Sequence, residues 1–103
     1  MYAYCYILFS EKLNKFYVGS TELEPNERLK MHLDKSYGSS KFTASANDWK
    51  IKFQLQCDSI LQARTIEKHI KNMKSSTYIK NFIKYPEMKV KLLNKYKSPG
   101  SSR

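Results

Sequence analysis

The stretch WKIKFQLQC, residues 49–57, determines the fold class of this chain. Apolar and polar residues alternate strictly along it, and a period of two is typical of a strand with one buried face. The pattern predicts that the buried face holds Trp49, Ile51, Phe53, Leu55 and Cys57. It places Lys50, Lys52, Gln54 and Gln56 on the opposite face. The segment therefore predicts a β-strand packed against a hydrophobic core.

Two further strands are predicted upstream of this segment. Residues 3–9 (AYCYILF) form an apolar run rich in aromatics, and residues 16–19 (FYVG) form a second one. The polar residues between them favour a turn, so the pair predicts a hairpin. Gly19 is expected to end the second strand, at a position that needs positive φ or close approach of another group. In such a hairpin, Tyr6 and Tyr17 are expected to lie near each other.

Helices are predicted on both sides of the 49–57 strand. Pro25 and the acids around it are typical of a helix start before Leu29 and Leu33, and residues 36–48 are typical of a loop. Asp58 or Ser59 can cap the next helix. Its apolar positions are Ile60, Ala63, Ile66, Ile70 and Met73. A shorter helix over 75–84 and another that begins at Pro86 complete the order β-β-α-β-α-α-α, an α+β fold with a small antiparallel sheet. We expect one domain over 1–96 and a tail over 97–103.

Charge is concentrated in the second half of the chain. The 103 residues have a formal net charge of +10, and residues 49–103 carry 13 cations against 3 acids. This asymmetry favours a polyanionic partner, nucleic acid before a membrane surface, although a solvated lysine-rich surface remains the alternative. The sequence shows no secretory signal and no spanning segment, so we expect a cytoplasmic protein. Cys5 and Cys57 are expected to be buried thiols.

Three sets of residues do not fit an ordinary core. The spacing of Glu67 places a carboxylate at the edge of an apolar helix stripe, where it must pair with Lys71, become protonated or hold a metal. Arg28 and His32 are four residues apart on one helix face, which suits either phosphate contact or ordinary surface exposure. The tyrosine pair of the hairpin is the third set, and it suits either a core role or proton transfer.

Six segments together resemble the GIY-YIG endonuclease superfamily. They are YCYIL (4–8), FYVGST (16–21), ERLKMH (27–32), KFT (41–43), WK (49–50) and QARTIEKHIK (62–71). Their order and spacing are most similar to the small single-domain branch, and more distantly to the N-terminal nuclease domain of excinuclease C. The resemblance implies a three-stranded antiparallel sheet flanked by helices.

The resemblance also implies roles for individual residues. Tyr6 and Tyr17 would flank the scissile phosphate, and one of them would help deprotonate the attacking water. Arg28 would contact the phosphate, and His32 would support the nucleophile or the leaving group. Glu67 would bind one divalent ion, Mg²⁺ or Mn²⁺.

Nucleic-acid contacts are expected on basic side chains around this site. The expected contact residues are Lys41, Thr43, Lys50, Lys71 and Lys74. Several relatives carry a lysine after the second-motif glycine, but this chain has Ser20, so Lys15 or Lys41 would have to supply that cation. The asparagine found late in the family motif has no secure equivalent, and Asn81 is two residues from the expected spacing.

The sequence therefore predicts a metal-dependent endonuclease that acts on DNA in a structure-selective or non-specific way. A nucleic-acid-binding module with weak or no activity is the alternative, and an interaction protein with an acidic partner is a third hypothesis. Targeting would come from the basic half, from a homodimer or from a partner protein. Membrane binding is not expected, since residues 86–96 are only faintly amphipathic.

Overall fold

The computed structural model describes residues 2–22, 27, 29–30 and 46–96, which form an α+β fold. Three strands, β1 (Ala3–Ser10), β2 (Lys15–Thr21) and β3 (Lys50–Cys57), pair antiparallel in the order β2-β1-β3. The predicted three-stranded antiparallel sheet is confirmed. Between β2 and β3, residues 27, 29 and 30 have helical backbone, and the rest of that predicted helix and loop lies outside the described residues up to residue 46.

Three helices follow the sheet, as predicted: α1 (Ile60–Met73), α2 (Ser76–Lys84) and α3 (Pro86–Lys95). The hydroxyl of Ser59 accepts a hydrogen bond from the Gln62 amide at 3.1 Å and caps α1. Ser75 caps α2 in the same way, and a proline opens α3. None of the helices among the described residues is long and apolar enough to cross a membrane.

The prediction that β3 buries a single face is wrong. Ile7 of β1 is opposite Phe53, whereas Leu8 is opposite Ile51, so Lys52 is the additional residue of a β-bulge. The bulge breaks the alternation, and the strand changes its buried face there. Ile51 packs in a cluster with Trp49 and Tyr6. Phe53 packs against the other cluster, with Leu55 and Cys57.

The core consequently has two parts, one on each face of the sheet. The larger part joins the sheet to α1, α2 and α3 through fully buried residues such as Ile7, Ile66 and Phe82. It also contains Cys5 and Cys57, which are buried free thiols, as predicted. Burial raises the pKa of the Cys57 thiol to about 11, and it raises the pKa of Cys5 strongly as well. The smaller part is the cluster around Trp49 on the opposite face.

A buried serine fastens the hairpin turn to the segment before β3. Ser10 Oγ donates to Asp48 Oδ1 at 2.6 Å and accepts from the Leu13 amide at 3.1 Å. Asp48 Oδ2 accepts from the Lys12 amide at 2.9 Å. The Ser10 hydrogen bond is the main cause of a lowered pKa at Asp48, and the Lys12 amide adds to it. This network fixes where β3 enters the sheet.

Candidate active site

The hairpin brings a glycine directly beneath a tyrosine. Tyr6 on β1 is paired with Gly19 on β2, and the Tyr6 side chain is 1% exposed. A Cβ atom added at Gly19 would lie 2.5 Å from the Tyr6 hydroxyl oxygen and 2.6 Å from Cζ of the ring. The Tyr6 ring can therefore pack this closely on the β2 backbone only because residue 19 is a glycine. The expectation that Gly19 ends the strand is wrong, because β2 continues to Thr21 and Gly19 is held within the ladder.

Tyr17 lies beside Tyr6 on the same side of the hairpin. The two ring centroids are 6.4 Å apart, and the Trp49 ring lies 6.4 Å from Tyr17 in an edge-on arrangement. The predicted proximity of the two tyrosines is therefore confirmed. Trp49 is 2% exposed and Tyr17 is half-buried, so the tryptophan supports one side of Tyr17 while part of that ring stays accessible.

Glu67 on α1 is held against the β2 edge strand by two hydrogen bonds. Its Oε1 accepts from Ser20 Oγ at 2.6 Å, and its Oε2 accepts from Lys71 Nζ at 2.6 Å. The Glu67 side chain is 19% exposed. The carboxylate is thus oriented by two partners and still partly open to solvent, and a carboxylate that binds Mg²⁺ needs both properties.

Ser20 is a site residue that sequence reasoning missed. It directly follows Gly19, and strand alternation turns its side chain away from the Tyr6 face and toward α1. Two features of the sequence could have identified Ser20: the alternation of side chains along β2, and the position of Glu67 at the edge of the apolar stripe of α1. The position where relatives carry a lysine thus holds a hydroxyl that orients the carboxylate.

Lys71 supplies the cation of this cluster. Besides its contact with Glu67, its Nζ lies 5.5 Å from the centroid of the Tyr17 ring. One ammonium group therefore neighbours both the acid and the aromatic ring. Lys15 and Lys41 were the lysines expected at this place, but Lys15 lines a cavity with Phe16 and Lys74, and Lys41 lies outside the described residues. The Glu67–Lys71 pair, one of the alternatives left open, is present.

The other predicted site residues are distributed around this cluster. Lys74 is the C-cap residue after α1, seven residues after Glu67, and is exposed. Lys50 lies on the other edge strand, β3, opposite Phe9 of β1. Arg28, His32, Lys41 and Thr43 lie outside the described residues, so their roles stay predictions.

The donor atoms present fit Mg²⁺ or Mn²⁺ better than zinc. Among the described residues, no three or more His, Cys, Asp or Glu side chains come together as a metal cage. Mg²⁺ keeps several waters and binds proteins through one or two carboxylates together with substrate phosphates. A single oriented carboxylate beside the Ser20 hydroxyl oxygen suits that mode of binding.

The fold is a three-stranded antiparallel sheet followed by three helices, and two tyrosines and a glutamate come together at strand β2. The model of the GIY-YIG catalytic domain family matches residues 2–81, and the chain belongs to this family. Domains of this family are generally endonucleases, and their substrate is nucleic acid. No curated protein and no solved structure matches the chain.

Proposed function

We propose that this protein is a divalent-metal-dependent endonuclease that hydrolyses phosphodiester bonds of DNA. The observation that carries the proposal is the Glu67 carboxylate, held by Ser20 and Lys71 beside the Tyr6–Tyr17 pair. A core-forming or purely binding role would not need an oriented acid among cations, because a carboxylate repels phosphate unless a metal ion screens it.

Each residue of the cluster has a distinct part in this proposal. Glu67 would hold the divalent ion, which, when bound, stabilises the charge that develops on the phosphate oxygens. Tyr17 would orient the attacking water and accept its proton at the phenolic oxygen. Lys71 Nζ lies 5.5 Å from the centroid of the Tyr17 ring, so a positive charge neighbours the residue proposed to take the proton. Tyr6, packed on Gly19, would set the position of Tyr17 and of the phosphate.

Arg28 and His32 complete the proposed site. A guanidinium binds phosphate with two parallel hydrogen bonds, so Arg28 would hold the scissile phosphate in place beside the metal ion. His32, four residues later in the sequence, would assist the nucleophile or the leaving group. Both assignments follow from the family motif and from the helical backbone at neighbouring residues 27, 29 and 30.

The test is nicking of supercoiled plasmid in Mg²⁺ or Mn²⁺ by the wild type, Glu67→Gln and Arg28→Ala. Glu87→Gln and Arg64→Ala are matched controls, because each removes the same group from an exposed position elsewhere. We expect metal-dependent cutting that both site variants lose by ~100-fold or more and both controls retain. Cutting that survives Glu67→Gln would overturn the assignment. DNA binding without cutting by the wild type would favour the inactive binding module instead.

A further inference from the structure

The hairpin end of the sheet carries a groove separate from the Glu67 cluster. Two adjacent cavities, of about 230 and 310 Å³, share Asn14 and Phe16 as lining residues. Two phenylalanines and four lysines make the lining of the groove aromatic and positively charged. We define the aromatic–lysine groove by these six residues: Phe9, Phe16, Lys15, Lys52, Lys74 and Lys80.

The aromatic part of the groove is a cross-strand pair. Phe9 on β1 is opposite Phe16 on β2, and their ring centroids are 4.8 Å apart. Both rings are half-buried and line the first cavity, so their accessible parts face it. Nucleic-acid bases stack on such rings only when they have left a duplex stack.

The four lysines reach the groove from four different elements. Lys15 begins β2, Lys74 follows the end of α1, and Lys80 lies on α2. Lys52 is the bulge residue of β3, and its Nζ lies 5.9 Å from the centroid of the Phe9 ring. Among the described residues that line the two cavities, none is acidic. The groove is therefore uniformly positive and complementary to phosphates.

Unusual backbone conformations occur at two of the lining positions. Asn14 has φ 52° and Lys74 has φ 50°, in the left-handed region that favours glycine. Side chains other than glycine in that region are found frequently at ligand sites, where the surrounding structure maintains them. Here Asn14 and Lys74 both line the second cavity.

One helix, α1, connects the candidate active site to the groove. Lys74 comes seven residues after Glu67, and a helix rises ~1.5 Å per residue, so the two positions are about 10 Å apart along α1. Lys71 lies between them and contacts Glu67. A nucleic-acid strand whose scissile phosphate reaches Glu67 would enter the groove within a few nucleotides.

We propose that the aromatic–lysine groove binds a single-stranded segment of the nucleic-acid substrate next to the cleavage point. Stacking of unpaired bases on Phe9 and Phe16, with phosphates on the lysines, selects substrates with a single-stranded flank over continuous duplex. The proposal rests on the proposed function for the position of the cut. Binding to the groove itself requires neither a metal nor an intact Glu67.

The test measures binding of a fluorescent 15-nucleotide single strand, and of the same sequence as duplex, by anisotropy in EDTA. Phe9→Leu/Phe16→Leu keeps apolar volume and removes the stacking faces. We expect this double variant to weaken single-strand binding by ~10-fold, which is the size of loss typical when a base loses its aromatic stacking partner. Duplex binding should weaken by less than ~2-fold. Equal loss on both ligands, or no loss, would overturn the stacking part of the proposal.

A second variant keeps the proposal testable if the double leucine variant does not fold. Lys52→Gln/Lys80→Gln removes two groove cations, and Lys91→Gln/Lys95→Gln removes two exposed cations from α3. We expect the groove pair alone to lower the slope of log affinity against log salt by ~1.4 for single strands. Equal effects of the two pairs would place binding outside the groove.

The outcomes distinguish the groove from the nuclease assignment. Groove-dependent binding by a protein that never nicks plasmid would support the groove and overturn the proposed function. Glu67-dependent nicking, combined with binding that no groove variant alters, would support the proposed function and overturn the groove. Glu67→Gln should bind the single strand at least as well as the wild type, because it removes a negative charge near the strand.

Discussion

Two titratable residues on α1, Glu67 and His69, are two positions apart and lie in opposite surroundings. Glu67 faces the β2 edge strand, where a hydroxyl and an ammonium group hold its carboxylate. His69 faces α3, and its Nδ1 is 3.0 Å from the hydroxyl of Tyr96 beside a cavity of about 280 Å³ lined by apolar residues such as Leu92.

The different surroundings of Glu67 and His69 give the two side chains different properties. Burial lowers the pKa of His69, and the charge of Lys95 lowers it further, so its surroundings favour the neutral ring. Glu67 instead has two polar partners, the Ser20 hydroxyl and the Lys71 ammonium group, at a partly exposed position. One helix thus presents an acid suited to a divalent ion on one side and a structural aromatic ring on the other.

The largest expected effect comes from closing the space beneath Tyr6. Gly19→Ala adds a Cβ that would lie 2.5 Å from the Tyr6 hydroxyl, so the ring must move away. We expect nicking to fall by ~100-fold, because a displacement of about 1 Å has that cost in a positioned site. Plasmid nicking measures the loss, and a thermal melt verifies that the variant is folded. A folded variant with wild-type rate would contradict the positioning role of Tyr6.

A smaller loss is expected when the cation of the cluster is removed. Lys71→Gln breaks the contact with Glu67 and removes the charge over Tyr17. We expect nicking to fall by about tenfold, equivalent to ~1.4 kcal/mol of transition-state stabilisation. The free energy of unfolding should change by less than ~1 kcal/mol, because the pair is partly exposed.

Lys68→Gln is the matched control for this change, since Lys68 is an exposed lysine of the same helix. Nicking rates and urea unfolding curves of both variants give the comparison. If the two variants lose activity equally, Lys71 acts only through general attraction of nucleic acid and not through the Tyr17 ring.

Protonation of His69 should change the stability of the fold with pH, and it should not change the nicking rate. Because the folded-state pKa of His69 lies below its ordinary value of 6.5, the unfolded chain takes up the proton first as pH falls. Stability from this group is fully present above about pH 6.5 and is lost as pH decreases through the lower folded-state pKa. Melting temperatures from pH 8 to 5 should fall less steeply in His69→Gln. Identical slopes would show that His69 is not held neutral.

The smallest effect is expected at the hairpin turn, at more acidic pH. Hydrogen bonds from Ser10 and the Lys12 amide lower the pKa of Asp48, so its contribution is present above the unfolded value near 3.8 and is lost below it. Asp48→Asn should reduce the melting temperature slightly at pH 7 and flatten its decline below about pH 4. A steeper acid decline in the variant would contradict this role.

Local sequence patterns predicted most of the fold. The hairpin, the cap at Ser59 and the proline that opens α3 all depend on neighbouring residues, and the structure has each of them. The same local reasoning failed at β3, because a bulge at Lys52 leaves the alternation of the letters intact while it changes the buried face. Met73 ends α1 with 45% of its surface exposed, although its spacing fits the buried stripe.

The candidate site could be predicted only in part for a related reason. Tyr6 and Tyr17 meet through hairpin register, which is a local property. The contact between Ser20 and Glu67 joins residues 47 positions apart, and it depends on how α1 packs across the sheet. The position of Lys71 over Tyr17 follows from the same packing. Arg28 and His32 stay predictions from the family motif.

The role of Glu67 as the metal ligand is tested by Mn²⁺ binding, measured by electron paramagnetic resonance with and without a short oligonucleotide that resists cleavage. We expect one bound Mn²⁺ per chain in the wild type and in Glu87→Gln, and at least tenfold weaker binding in Glu67→Gln. The oligonucleotide should strengthen wild-type binding, since substrate phosphate completes the ligand set. Equal Mn²⁺ binding by the wild type and Glu67→Gln would contradict the claim that Glu67 is the metal ligand.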